Sequence, residues 1–197
     1  MARKMMILCG SPRQMGNTNT VAGWVAEAAR EAGAEVEVVD AARLALKAHG
    51  CTACMGCQQS QDYGCVIADD AQPVIARMLE TDVLVFATPV YFFGPTAQLK
   101  CVLDRMFSLV KVGPEGMQTA ARGELALVST AGSGMDGGLG LVEKMFRTLG
   151  EFVSLPYRSL LVPNAPMNPR DLAAAADLHA RAEAFGQELA AGTHASA

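Results

Sequence analysis

Two stretches of the chain hold residue types and spacings that can do chemistry. The first is Gly10-Ser11-Pro12-Arg13-Gln14-Met15-Gly16-Asn17-Thr18. Gly10 and Gly16 let the backbone turn tightly and present its N–H groups. Ser11, Asn17 and Thr18 add side-chain donors, and Arg13 adds a fork-shaped cation that matches a phosphate. A helix starting directly after the loop would add its positive dipole end. The set suits one compact dianion, a monophosphate in a single nest. An ordinary strand–turn–helix corner also uses Gly-Ser-Pro. The string of donors at the first crossover is what points beyond one. No Gly-Lys-Ser/Thr follows, so this is no Walker loop, and Gly-x-Gly-x-x-Gly is absent.

The second stretch holds Cys51, Cys54, Cys57 and Cys65, a C-x2-C-x2-C-x7-C run. Three thiolates so spaced can wrap a small inorganic core, and a fourth can close it. The spacing is closer to cluster-binding runs than to zinc sites, which pair two C-x2-C knuckles across a longer gap. It departs from ferredoxin runs in the x7 gap and in Val66 after the last cysteine. A cluster, zinc, and free or redox-active thiols are the alternatives. Cys9 and Cys101 read as small buried apolar residues.

Two further segments can approach a planar ligand. Thr88-Pro89-Val90-Tyr91-Phe92-Phe93-Gly94 offers aromatic faces for stacking and backbone N–H groups at Val90–Phe92. Thr130-Ala131-Gly132-Ser133-Gly134, with Gly137 and Gly138 beyond, makes a flexible loop. His49, His179 and His194 have no sequence partners that suggest a triad, and His179 reads as a surface residue. Met135 reads as a core or surface residue.

The elements that must position these groups alternate. Lys4–Cys9 is a short apolar run, as in a strand buried on both faces. Val21, Trp24, Val25, Ala28, Ala29 and Ala32 follow helical spacing, and Gly33 ends them. Glu35–Asp40 reads as a strand. Val74, Ile75, Met78 and Leu79 mark a helix capped by Asp69 or Asp70, with Pro73 in its first turn. Asp82–Thr88 is a buried strand. Leu99 to Val110 predicts a third helix, closed by Gly113-Pro114. Glu124–Thr130 is a fourth strand. Leu141 to Leu149 predicts a helix ended by Gly150, and a fifth strand lies within Phe152–Leu161. Asn168-Pro169 opens one last helix with Leu172, Leu178, Phe185 and Leu189 inward, ending near Gly192, and the tail beyond is expected to fray. Ala41–Ile67 fits neither period, which for so long a stretch is usually functional.

Strand–helix alternation predicts an α/β fold. A phosphate-type loop after the first strand favours a flavodoxin-like three-layer sandwich with a five-stranded parallel sheet, order 2-1-3-4-5. The ligand then lies at the carboxyl ends of strands one and three. The 197 residues suit one domain, with a cysteine-rich loop at about 41–67. Half of the chain is apolar and 18% is charged, which excludes disorder, and the net charge is −4. Mild acidity argues against nucleic acid and anionic membranes as partners. No run reaches the roughly 20 apolar residues of a membrane helix. The apolar start is too short for a signal core, so a cytoplasmic protein is expected.

The phosphate loop resembles that of the NADPH-dependent FMN reductase family, within the flavodoxin-like superfamily. Thr88–Gly94, followed by Gln98-Leu99-Lys100 and Asp104-Arg105, is similar to the family's segment along the isoalloxazine. Ser129–Gly134 resembles its glycine loop. These matches run from the first strand to the fourth helix. The resemblance implies FMN held by Ser11, Arg13, Gly16, Asn17, Thr18, Pro89, Val90, Tyr91, Phe92, Gly94, Thr130, Ala131 and Gly132. NAD(P)H is the implied electron donor, the flavin carries the chemistry with no catalytic side chain, and a homodimer or homotetramer is expected. The cysteine run points to the iron–sulfur flavoprotein branch, with Cys51, Cys54, Cys57 and Cys65 as 4Fe–4S ligands.

Three readings follow. The chain is an FMN-dependent reductase of FMN, a quinone or another small acceptor, or an iron–sulfur flavoprotein exchanging electrons with redox proteins, or a flavin-free phosphate-binding domain. The last leaves the Pro-Val-Tyr-Phe-Phe loop without a role.

Overall fold

Three short runs, Lys4–Cys9, Val83–Pro89 and Glu124–Thr130, bury both faces at the centre of one parallel sheet, and Glu35–Asp40 and Tyr157–Val162 pair at its more exposed edges. A computed structural model describes residues 2–192. In chain order the elements are β1 (Lys4–Cys9), α1 (Asn17–Glu31), β2 (Glu35–Asp40), α2 (Gly56–Gln59), α3 (Ala71–Met78), β3 (Val83–Pro89), α4 (Ala97–Leu103), β4 (Val110–Gly113), β5 (Gly116–Thr119), β6 (Glu124–Thr130), α5 (Leu139–Phe152), β7 (Tyr157–Val162), α6 (Pro169–Ala173) and α7 (Ala176–Ala191). The sheet order is β2-β1-β3-β6-β7, all parallel. This is the expected flavodoxin-like order once the separate hairpin β4–β5 is set aside.

Alternate side chains of each strand serve opposite layers. Met5, Ile7, Val83, Val85, Ala126 and Val128 face α1, α6 and α7. Met6, Leu8, Leu84, Phe86, Leu125 and Leu127 face α3, α4 and α5. Phe86 meets Phe146 of α5 at a ring separation of 4.9 Å. Glu124 is fully buried at the start of β6, paired with Arg3 and Arg158, each at 3.2 Å. Trp24 stacks on His179, which also pairs with Glu183 on the surface.

Three expectations about helices are corrected. The third helix stops at Leu103, continues as a 3₁₀ turn over Asp104–Leu109, and gives way to the hairpin. Val110-Lys111-Val112 alternates and Gly113–Gly116 supplies a turn, so strand chemistry overrides the helical period. Gly150 does not end its helix, which runs on to Phe152. A β-carbon at Gly150 would lie 3.1 Å from that of Tyr157, so this glycine admits the returning strand β7. The last helix is two: Asn168 caps α6 through its side chain as expected, and the chain restarts as α7. Leu172, Leu178, Phe185 and Leu189 are buried as expected, and Gly192 follows α7 with φ +68°. His194 and the tail lie outside the described residues. Among those described, no helix is long and apolar enough to cross a membrane.

The 41–67 segment lacks regular structure apart from a 3₁₀ turn at Ala41–Arg43 and the single turn of α2. Its far end is fixed by Asp69. That carboxylate accepts from the backbone N–H groups of Lys47 at 2.9 Å and Ala71 at 3.1 Å, and from Arg105 Nη1 at 2.7 Å. The Arg105 hydrogen bond leads in holding Asp69 down to about 2. A carboxyl group lowered on folding stabilises the fold above its unfolded pKa of about 4, and loses that contribution as pH falls toward 2. Urea unfolding across this window should therefore show stability falling with acidification, with a shallower fall in Asp69→Asn.

Candidate functional site

Parallel register ends β3, β6 and β7 at one level, with β1 stopping two residues earlier, and backbone bonds carry the ladder into the loops. Gly10 N–H donates to Ala87 O (2.8 Å), Val90 N–H to Thr130 O (2.9 Å) and Ala131 N–H to Val162 O (3.0 Å). Four loops thus converge on one cavity of ≈230 Å³. It is lined by Ser11, Arg13, Gly16, Asn17 and Thr18, by Pro89, Val90 and Tyr91, and by Thr130, Ala131 and Gly132. Eleven of the thirteen expected residues meet there. Among the described residues, Arg13 is the one charged side chain lining it.

The first loop is built for an anion. Helix α1 starts at Asn17, and its N-cap Gly16 offers no side-chain cap. The first-turn N–H groups, which have no partner within a helix, are thus left to a ligand. Ser11 is buried and shapes the loop, its Oγ accepting from Arg13 N–H at 3.3 Å. Thr18 Oγ1 and Thr130 Oγ1 lie 2.7 Å apart and join the first loop to the glycine loop. Asn17 Nδ2 donates to Pro166 O at 2.7 Å, while its Oδ1 is buried with no partner. A ligand hydroxyl there would satisfy it. The glycines act through size, not unusual dihedrals: neither has positive φ. A β-carbon on Gly10 would lie 2.5 Å from Leu99 Cβ, and one on Gly16 would lie 2.9 Å from Arg13 O.

Phe92 and Gly94 do not line the cavity. Tyr91 and Gly94 bond each other's backbones around a tight turn with φ +47° at Phe92 and +68° at Phe93. Two left-handed residues make the turn reverse sharply and throw both phenyl groups outward; Phe92 is 97% exposed. Gly94 serves the turn. Gly138, with φ +108°, lets the glycine loop close on it, since a β-carbon there would lie 3.0 Å from Phe93 Cα. Met135 is a half-exposed surface residue.

Sequence reasoning missed the fourth loop, Ala165, Pro166 and Met167. The signal available was its place after the fifth strand at the same sheet end. It also missed Thr96, a buried N-cap whose Oγ1 donates to Gly10 O at 2.7 Å and so ties α4 to the first loop.

The cysteines form a separate locality. Cys51, Cys54, Cys57 and Cys65 together line a cavity of ≈300 Å³, with Arg105, Phe107 and Ser108 behind them. Among the described residues no three His, Cys, Asp or Glu side chains gather as a site for one metal ion. A single tetrahedral zinc would need its sulfurs about 4 Å apart, whereas a cluster presents a separate iron to each. Three of the sulfurs have N–H donors at hand: Ala53 N–H for Cys51 (3.4 Å), Gln58 Nε2 for Cys57 (3.6 Å) and Arg105 Nε for Cys65 (3.3 Å). Bonding from the Gly56 backbone lowers the Cys54 thiol. Burial pushes Cys9 up to about 12 on β1, far from thiolate chemistry.

The unforeseen hairpin braces this loop. Gln58 Nε2 donates to Val110 O at 2.8 Å and its Oε1 accepts from Val112 N–H at 3.1 Å. Lys111 Nζ donates to the carbonyls of Cys57, Ser60 and Asp62. Left-handed backbone at Ala53 and Met55 turns the loop around the cavity.

A parallel α/β sheet with an anion nest at its first crossover, facing a second loop across the switch point, defines a mononucleotide-binding architecture. The family model for NADPH-dependent FMN reductase matches residues 3–166, and the chain belongs to that family. It is 36% identical over 103 residues to an iron–sulfur flavoprotein of Methanocaldococcus jannaschii, covering 52% of this chain and 51% of that protein. A second iron–sulfur flavoprotein of the same organism is 29% identical over 149 residues, covering 76% and 70%. The chain thus spans about half to two-thirds of the length of these relatives. The solved structure of an NAD(P)H:quinone oxidoreductase from Methanothermobacter marburgensis shares the fold, with TM-score 0.76 and 21% identity over 96% of this chain and all of that one.

Left-handed backbone at a bulky residue costs about 1–3 kcal/mol, and Phe92 buries nothing to offset it. Phe92→Asn should therefore raise the unfolding free energy by about 1 kcal/mol in urea titration, because Asn tolerates this conformation.

Proposed function

We propose that the chain is an FMN-dependent oxidoreductase that takes electrons from NAD(P)H and delivers them to FMN, a quinone or another small acceptor. The observation that carries this reading is the single cavity in which the uncapped start of α1, the Pro89–Tyr91 segment and the Thr130–Gly132 loop meet. FMN, when bound, supplies hydride acceptance and electron release. The α1 N–H groups and Arg13 hold its phosphate. Asn17 Oδ1 takes a hydroxyl of its ribityl chain. Pro89–Tyr91 and Thr130–Gly132 lie along its ring, with Ala165–Met167 beside them. Of the N–H groups at Val90–Phe92, those of Val90 and Tyr91 are taken by Thr130 O and Gly94 O, which leaves that of Phe92.

Phe92, Phe93, Met15 and Met167 give the loops that line the cavity an exposed apolar rim. Such rims mark contact surfaces, and a homodimer or homotetramer is the assembly that best covers an open flavin site.

A second reading rests on the cysteine cavity. Cys51, Cys54, Cys57 and Cys65 would hold a 4Fe–4S cluster, making the protein a one-electron carrier for redox partners as well as a flavoprotein. N–H donors to the sulfurs favour the ligated, anionic form.

Anaerobic addition of NADH or NADPH to the FMN-loaded protein should bleach its flavin absorbance, and a quinone should restore it. If neither nucleotide bleaches it, the reductase reading is lost; iron and sulfide analysis then decides for or against the carrier. Arg13→Ala should weaken FMN binding about tenfold or more in a flavin-fluorescence titration, as expected for one hydrogen bond to a charged group.

A further inference from the structure

Arg105 is a fully buried cation whose position the flavin site does not explain. It does not line the ≈230 Å³ cavity, and its side chain is 0% exposed, with that of its partner Asp69 at 1%. Its guanidinium makes three separate bonds. Nη1 meets the Asp69 carboxylate at 2.7 Å, Nη2 meets Ile67 O at 3.1 Å, and Nε points at Cys65 Sγ at 3.3 Å. An ion pair alone would rarely justify burying both charges. If Arg105 were only a staple, Asp69 and Ile67 would be enough to tie the end of the cysteine loop to the 3₁₀ turn. The third bond goes instead to a sulfur that faces the ≈300 Å³ cavity.

We infer that Arg105 is a positioning residue for the fourth cysteine, and that Arg105 and Asp69 together set the reduction potential of an iron–sulfur group held there. The inference rests on the cluster reading above. One-electron reduction, from an external reductant, adds one negative charge to a group bonded to Cys65, with no bond broken and no proton required. A guanidinium fixed against that sulfur favours the more negative, reduced form and so raises the potential. Asp69 lies one hydrogen bond farther from the sulfur and opposes this. The two residues of one ion pair therefore act with opposite sign. A purely structural staple would not do so, because losing either half would loosen the loop in the same way.

The test is an EPR-monitored redox titration of the anaerobically purified holoprotein, with iron content measured on each sample. Arg105→Gln should lower the equilibrium constant for cluster reduction about tenfold, or ~59 mV for one electron. Arg105→Lys, which keeps the charge, should recover much of that shift. Asp69→Asn should move the potential upward. An iron-replete Arg105→Gln protein with an unchanged potential overturns the proposal, as do shifts of one sign in Arg105→Gln and Asp69→Asn. If Arg105→Gln loses its iron or does not fold, Arg105→Lys and Asp69→Asn decide, and an unchanged or lowered potential in Asp69→Asn overturns it. Wild-type protein without iron overturns the cluster reading and this inference with it. An iron-replete wild type with unresponsive variants overturns the Arg105 role alone.

Discussion

The common level at which three parallel strands end, two residues past the end of β1, governs this molecule. Cys9 stands beside Ala87, Pro89 beside Thr130, and Thr130 beside Val162. The N–H groups of Val90 and Ala131, next after β3 and β6, reach the neighbouring strand's last carbonyl at Thr130 and Val162, and that of Gly10, next after β1, reaches Ala87 O within β3. The loops have no freedom to start elsewhere. Everything built on them, from the α1 N-terminus to the turn at Phe92, inherits its position from this ladder. A slip of one residue would turn every strand side chain to the other layer, so the two cores lock the register that the site needs.

Around that ladder, small residues and hydroxyls do most of the close work. Gly10 lets Leu99 approach, and Thr96 reaches back to Gly10 O, so α4 is pinned against the anion nest. The same helix passes directly into the 3₁₀ turn that carries Arg105. One continuous stretch, 96–109, thus touches the loop after β1 at its start and the cysteine cavity near its end. The hairpin that follows grips the cysteine loop through Gln58 and Lys111. The two localities are separate in chemistry but share one scaffold.

The cysteine loop shows how a segment without regular structure is held in place. Its backbone has few ladder bonds, so side chains supply the order: Asp69 from one end, Arg105 from beneath, Lys111 and Gln58 from the side. The cost of burying Arg105 and Asp69 is offset by three hydrogen bonds to each. Strain is tolerated where it shapes a surface. Phe92 and Phe93 adopt left-handed backbone at the mouth of the cavity, where ordinary turns would use Asn and Gly.

The sequence alone determined the sheet, its order and eleven of the cavity's lining residues. Those features depend on local patterns: apolar runs bounded by turns, and a donor-rich loop at the first crossover. It also determined that four cysteines lie close in the chain, and the family to which their neighbours point. Only the tertiary structure decided that Phe92 points away from the cavity, because that depends on two dihedrals in one turn. It alone brought in Ala165–Met167 and Thr96, whose roles arise from contacts with distant strands. It replaced the end of the third helix with a hairpin, because Val110 and Val112 find their partners across a turn and in Gln58. Arg105 is the sharpest case. In the sequence Asp104-Arg105 figures only in the resemblance to the family's isoalloxazine segment, and only folding sets Arg105 against Cys65, forty residues back along the chain.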